Sequence, residues 1–342
     1  VIHPEQPPKW TKQPEIDFKP PTRSYSTTIA RQCKAQDNTR EVPPNPGRLA
    51  VLRKARYNAL MTAPTDVGQT LCRLLAVTGA PDYSALPGTV PWRQLVQLAQ
   101  SNAVGPLLYA AVEDKDLILP ETSRETLKQA YYTSAAMNAR LLGELERVSE
   151  HLTSLGVPIL LLKGAALGER VYGNLATRPM GDLDILVPQD QVTETAQLLA
   201  PLGYEALPGP PGHSFTYQAR FNGEVSLRRG PETSGLMLDV HWHLAAHQWL
   251  HHTTQIDVNA LWRAALPFSL ASLSLRQLCP EDTLLHVCLH AAFGNTFAYL
   301  LNLVDVDRLV RAGSGLDWTR FLQRVQGFQV RVPVYFGLRF AA

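Results

Sequence analysis

Asp182 and Asp184 stand two residues apart at the mouth of an apolar run, Leu183-Asp184-Ile185-Leu186-Val187. On a strand, positions i and i+2 share a face, so the two carboxylates converge on one point. Hard cations take carboxylate oxygens, and a third acid from a neighbouring strand would complete a site for Mg2+, or for Mn2+. Leu236-Met237-Leu238-Asp239-Val240-His241-Trp242 offers Asp239. Paired metals in such sites sit roughly 3.5–4 Å apart, a span that three convergent carboxylates can cover. Upstream, the apolar run Val157–Leu162 ends in Lys163-Gly164 and passes directly into a helix-forming segment. Free N–H groups and the positive dipole end there suit a phosphate, and Gly164 lets the backbone approach closely. Lys163 adds a cation, which places it at a nucleotide's phosphates; otherwise it is a solvated lysine at a strand end. Acids for magnesium beside a turn for phosphate are what a magnesium–nucleotide site requires. The competing reading is a polar strand start facing water, and the flanking Met180, Leu183, Ile185, Leu186 and Val187 argue against it.

Arg178 lies just before the acids, in a loop with Pro179. A guanidinium there can clamp a triphosphate in two-pronged fashion, or pin the loop through a backbone carbonyl. His241 shares its strand face with Asp239 and His243. It either orients Asp239 or reaches a second substrate, or it packs as a hydrogen-bonded structural histidine. His247/His251 and His286/His290 have the i, i+4 spacing of one helical face. The second pair lacks the Glu that follows the first His in zinc proteases, so helix packing is expected of both. Asp305 and Asp307, beside Arg308, are expected to be ion-paired at the surface or between helices.

The elements that must position these residues follow from periodicity. Val67, Leu71, Leu74 and Leu75 share a helical stripe, as do Leu95, Leu98, Val104, Leu107 and Leu108. Pro120-Glu121 opens a long helix whose stripe runs from Leu127 through Asn138, Leu141, Leu145, Val148 and Leu152 to Leu155, with Gly156 as its stop. Strands are expected at Val157–Leu162, Leu183–Val187 and Leu236–His243, with helices at Ala165–Tyr172 and Gln191–Ala200. Phe215, Tyr217, Ala219 and Phe221 alternate as a strand ahead of an Asn222-Gly223 hairpin turn. From Pro280 the pattern is helical again. The expected fold is thus α+β: a small mixed sheet at 157–265, between helical regions at 61–156 and 266–342. Residues 1–60, rich in Pro, Lys, Arg, Thr and Gln and without a period, are expected to form a poorly ordered arm or a non-native extension.

Composition narrows the class. Charged residues make up 18% and hydrophobic ones 45%, the balance of a soluble globular protein. A net charge of +2 gives no strong signal for a long nucleic acid, whose many phosphate contacts need a basic face. No apolar run approaches the ~18 residues of a membrane span, and the start shows no signal-peptide pattern. A cytoplasmic location without a membrane partner is expected, with Cys33, Cys72, Cys279 and Cys288 as free thiols.

Lys163-Gly164-Ala165, Arg178-Pro179-Met180-Gly181-Asp182-Leu183-Asp184 and Asp239-Val240-His241-Trp242 together resemble a known pattern. The chain is similar to an uncharacterised bacterial nucleotidyltransferase-like family with a Lys-Gly-Ala turn, Arg-x-Met-x-Asp-x-Asp and a late [Asp/Glu]-x-His-Trp. That family belongs to the superfamily typified by DNA polymerase beta. The resemblance spans roughly residues 66–330; a true start at Met61 and a C-terminus cut short of the family's usual end, after the apolar stretch Val332–Phe340, are expected. It implies magnesium-dependent transfer of a nucleotidyl group from a nucleoside triphosphate, ATP included, to a hydroxyl, with release of pyrophosphate. Asp182, Asp184 and Asp239 would be the catalytic metal ligands, and Lys163, Gly164 and Arg178 would hold the nucleotide. Asp239 stands where the superfamily's third carboxylate activates the acceptor hydroxyl, with His241 on the acceptor side. The superfamily's turn carries a Ser after the Gly; here it is Ala165. The acceptor is left open: a small molecule, a sugar, a protein side chain or an RNA end. The alternative is a non-catalytic nucleotide-binding or scaffolding module that keeps the fold.

Overall fold

The computed structural model describes residues 65–75, 90–114, 116–209, 212–246, 248–270, 273–312 and 315–342. The expected N-terminal arm, Met61, Cys33 and His247 lie outside them.

Among the described residues, four helices precede the sheet: α1 (Thr65–Leu75), α2 (Trp92–Ser101), α3 (Gly105–Asp114) and α4 (Glu121–Ser154). The apolar stripes read from the sequence are their buried faces, and Val67, Leu71, Leu95, Leu107, Leu108 and Leu127 form one cluster. Helix α4 starts after Pro120, and Gly156 at φ +81° stops it. Leu155, its cap residue, is exposed.

Strand β1 is only Leu160–Leu161. It starts late because Val157 N–H still donates to Leu152 O at the helix end, and Pro158 has no N–H to give a ladder. The chain then makes the short helix α5 (Lys163–Leu167), a π-turn at Gly168–Tyr172 and a loop into β2 (Leu183–Leu186). Helix α6 (Val192–Leu199), β3 (Tyr204–Ala206), helix α7 (Phe215–Phe221), β4 (Glu224–Arg229) and β5 (Leu236–His241) follow. After α8 (Gln248–Thr253) and α9 (Val258–Ala264) comes a hairpin, β6 (Leu266–Leu270) and β7 (Leu273–Gln277). Helices α10 (Pro280–Leu289), α11 (Leu300–Arg311), α12 (Trp318–Gly327) and α13 (Arg331–Ala341) complete the described chain. No described helix is long and apolar enough to cross a membrane.

The fold is mixed α/β with seven strands in the order β3-β4-β5-β2-β1-β7-β6. Strand β2 runs parallel to β5 and antiparallel to β1, and β7 runs parallel to β1. Register sorts the faces. Leu161, Ile185, Val240 and Val225 lie side by side across four strands and pack with Leu141, Leu145, Val148 and Leu152 of α4. The opposite face carries Leu160, Leu162 and Leu186, which pack with Val287 of α10, Phe321 of α12 and Val334 of α13. On that same face sit Asp184, Asp239 and His241.

Several expectations are corrected. Phe215–Phe221 is a helix rather than a strand. Ser214 Oγ accepts from Tyr217 N–H at 3.2 Å as its N-cap, and the Tyr217 ring meets that of Phe221 one turn on, tilted, with centroids 5.0 Å apart. The aromatic spacing therefore serves i, i+4 contacts. Asn222-Gly223 is the helix stop leading into β4, with Gly223 at φ +86°, and no hairpin. The sheet is also larger than expected, because β3, β4 and the β6–β7 hairpin join it. The hairpin places residues 266–277 in the sheet, and the C-terminal helices start at Pro280.

Candidate active site

Strand β2 is buried along its whole length, so Asp184 lies inside the molecule. The parallel ladder sets Asp184 directly beside Asp239, and the antiparallel one sets Asp239 beside Ser226. Two register positions on, His241 stands between Leu186 and Glu224. Two carboxylates on neighbouring strands repel at this spacing, so Asp184 requires compensation. Lys163 Nζ donates to Asp184 Oδ1 at 2.6 Å, and His241 Nε2 lies 3.0 Å from the same oxygen. On its other side, His241 Nδ1 is 3.1 Å from Glu224 Oε2.

Lys163 reaches Asp184 through an unusual backbone. Its φ is +36°, a left-handed setting that costs a non-glycine residue about 1–3 kcal/mol. The strand end is tied to the site as well, since Leu162 N–H donates to Asp184 O at 3.1 Å. Gly164 is set by packing: a Cβ there would meet Met180 Sδ at 2.9 Å and Arg178 Nη1 at 3.3 Å. The turn and the Arg-x-Met segment are therefore two halves of one contact.

Asn138 of α4 holds that segment. Its amide donates to Arg178 O at 2.8 Å and to Leu175 O, and its carbonyl accepts from Met180 N–H at 3.1 Å. The Arg178 guanidinium is engaged by Asp305 of α11, Nε to Oδ1 at 2.9 Å and Nη2 to Oδ2 at 2.7 Å. Asp305 thus pairs α11 with the loop before β2 rather than with a second helix, while Asp307 pairs with Arg311 on its own helix.

The charges split the acids. Burial pushes the Asp184 carboxyl up, but Lys163 and His241 outweigh it and hold the group well below the usual range. Asp182, one residue ahead of β2, is pushed up to about 7, by the charge of Asp184 first and then by burial. Asp239 is raised by burial and by Asp184. Burial disfavours charge on His241, yet Glu224 and Asp184 prevail and raise it. His286 and His290 are held neutral, first by burial and then by the Lys163 charge, His290 down to about 3. His243 falls to about 4 through burial and the nearby His251, and its Nδ1 accepts from Ala245 N–H. His243 and His286 are buried in the interior, and His290, half-buried one turn after His286, lies beside Asn295.

Among the described residues, ligand-capable atoms of Asp184, Asp239 and His241 lie within 4.8 Å of one another. The donor set fits a divalent cation. Oδ1 of Asp239 is buried with no hydrogen-bond partner, a costly state for a carboxylate oxygen that a cation would relieve. Asp182 stands outside this close trio, though the charge of Asp184 acts on it.

The family model described as "Uncharacterised nucleotidyltransferase" matches residues 88–342, most of the chain. The chain belongs to that family. No curated protein matches it. Similar solved structures include the antibiotic-resistance factor ANT(2'')-Ia, at 13% identity over 51% of this chain and 91% of that one, with a TM-score of 0.33. Another is an antigenic nucleotidyltransferase-like protein from Paracoccidioides brasiliensis, at 14% identity over 57% of this chain and 92% of that one, also with a TM-score of 0.33. Likeness at that level decides nothing further about this nucleotidyltransferase.

Sequence reading named Lys163, Gly164, Arg178, Asp182, Asp184, Asp239 and His241, and all seven belong to neighbouring elements of this nucleotidyltransferase. It missed Asn138, taken there as one member of an apolar stripe. It missed Glu224, although Gly223 and Gly230 bracket Glu-Val-Ser-Leu-Arg-Arg as a short alternating strand. Asp305 gave no signal of its partner, which is 127 residues away in the chain.

Proposed function

We propose that the protein transfers a nucleotidyl group from a nucleoside triphosphate to a hydroxyl acceptor, with Asp184 and Asp239 as the central pair of carboxylates. The observation that carries this reading is their side-by-side placement on parallel strands, with one oxygen of Asp239 buried and unpaired. Asp182, Asp184, Asp239 and, on the geometry, His241 would hold magnesium or manganese. When bound, the ion supplies charge to the phosphate oxygens and lowers the pKa of the acceptor hydroxyl.

The chain's own residues do the rest. The acceptor oxygen forms a bond to the α-phosphorus while the bond from that phosphorus to the pyrophosphate oxygen breaks. Asp239 takes the hydroxyl proton, a role suited to a carboxyl raised by burial and a neighbouring charge. Asp184 meets His241 Nε2 at 3.0 Å, and the Glu224 carboxylate lies 3.1 Å from Nδ1 as a neighbouring charge, so both acids favour a protonated imidazole beside Asp239. Lys163 and the Gly164 backbone hold the leaving phosphates.

Incubation with labelled nucleoside triphosphates, magnesium and cell extract tests the proposal. Label should move to an acceptor with wild-type protein and stay put with Asp184→Asn or Asp239→Asn. Equal transfer by wild type and both variants rejects it.

One observation favours a second reading, a nucleotide-binding module without turnover. Lys163 already neutralises Asp184 at 2.6 Å and would compete with a cation. Binding of magnesium and triphosphate without label transfer to any acceptor supports that module.

A further inference from the structure

Asp305 is 2% exposed, and three side-chain hydrogen bonds converge on it. Arg178 donates through Nε at 2.9 Å and Nη2 at 2.7 Å, and Tyr172 Oη donates to Oδ1 at 2.6 Å. Arg308, one turn further along α11, lays its guanidinium over the Tyr172 ring, 4.4 Å from the centroid. A buried ion pair is seldom worth more in stability than apolar residues of the same volume. What this pair fixes is the direction of one side chain. Two of the three guanidinium nitrogens are taken, and the third, Nη1, lies against the Lys163-Gly164 turn. A Cβ on Gly164 would be 3.3 Å from it. The other end of Arg178 is fixed too, by Asn138 on its carbonyl. Asp305 cancels the arginine's charge, as Asp184 cancels that of Lys163, so Arg178 serves the turn as an oriented donor rather than as a free charge.

We propose that Asp305 is a positioning residue for the nucleotide: by gripping Nε and Nη2 it presents Nη1 of Arg178 at the turn, to a phosphate oxygen beyond the α position. This rests on the nucleotide reading above. It makes the C-terminal helix α11 part of the nucleotide site, and it explains why the position needs an arginine. A lysine would have one nitrogen for Asp305 and none left for the turn.

Calorimetric titration with each common nucleoside triphosphate plus magnesium, and with the matching monophosphates, tests the proposal. The variants are Asp305→Asn, Arg178→Lys, the double variant and Tyr172→Phe. Each of the first two should lose about tenfold or more in triphosphate affinity, the scale of one charged hydrogen bond, with monophosphate affinity nearly unchanged. The double variant should be no worse than the weaker single, because one device is removed twice. Tyr172→Phe keeps the ion pair and loses one of its supports, so it should show a smaller loss in the same ratio. Should Asp305→Asn fail to fold, Tyr172→Phe decides by that ratio. An Asp305→Asn protein that melts lower with an unchanged triphosphate-to-monophosphate ratio overturns the proposal, as do additive losses in the double variant or an unchanged ratio in Tyr172→Phe. A wild-type protein that prefers no triphosphate rejects the nucleotide reading itself.

Discussion

Lys163 and His241 both place a nitrogen on Oδ1 of Asp184, so one oxygen carries most of the charge compensation in the site. That arrangement sets what each substitution should do. Asp184→Asn and Asp182→Asn keep shape but lose charge, and each should abolish the rise in melting temperature that magnesium with nucleotide gives the wild type. Differential scanning fluorimetry with and without metal measures this; a retained shift in Asp184→Asn would remove that residue from the metal site. Lys163→Ala should weaken triphosphate binding by roughly 1.5–3 kcal/mol, more than monophosphate binding. It should also enlarge the magnesium-induced melting shift, since the competing ammonium is gone. A shift that shrinks instead would mean the lysine helps hold the cation site together.

At the level of elements, the site is a loop pinned by a helix. Asn138 satisfies the backbone at Leu175, Arg178 and Met180 from within α4. Asn138→Ala leaves those buried groups unpaired and should cost about 2–3 kcal/mol, read from urea unfolding. A loss below half a kcal/mol would show that the loop holds its own shape. Asn138 was legible as buried, because it falls on the α4 stripe, but its partners were not. A stripe reports which residues face inward, and the element that packs there is chosen by the fold. The same limit explains Phe215–Phe221, where four aromatic and apolar residues at alternate positions match a strand on paper. Ser214 and the Tyr217–Phe221 ring contact favour the helix, and a segment of 7 residues is too short for periodicity to arbitrate.

Across the whole molecule, the raised acids make stability depend on pH in a defined direction. Asp182 moves from its ordinary 3.8 to about 7 in the folded protein, and Asp239 moves the same way. The folded state therefore binds these protons more tightly than the unfolded one, and their contribution to stability falls as pH rises from about 4 through about 7. Asp184 is depressed, so its contribution is present above about 4 and is lost as pH falls below that. The two windows barely overlap. Urea unfolding in chelator from pH 5 to 8 should show wild type losing stability relative to Asp182→Asn, and saturating magnesium should flatten the difference. A pH-independent difference in chelator would mean that Asp182 is not held near Asp184 in solution.

The sequence by itself determined the acids, the turn and the strands that carry them. Short-range geometry suffices there, since alternation puts Asp239 and His241 on one face and the Lys-Gly step after an apolar run marks the strand's end, here the start of α5. It also determined the helical regions, where stripes such as Val67-Leu71-Leu74 recur at the helical period. Tertiary structure alone decided that Asp184 lies beside Asp239 and that Lys163 lies across it, because strand register depends on which strands become neighbours. The partners of Arg178 were decided the same way. Asp305 looks like any helical acid with basic neighbours, and only the packing of α11 against the loop before β2 makes it the group that aims an arginine. Contacts between segments far apart in the chain depend on shape complementarity across the whole core, which no local pattern encodes.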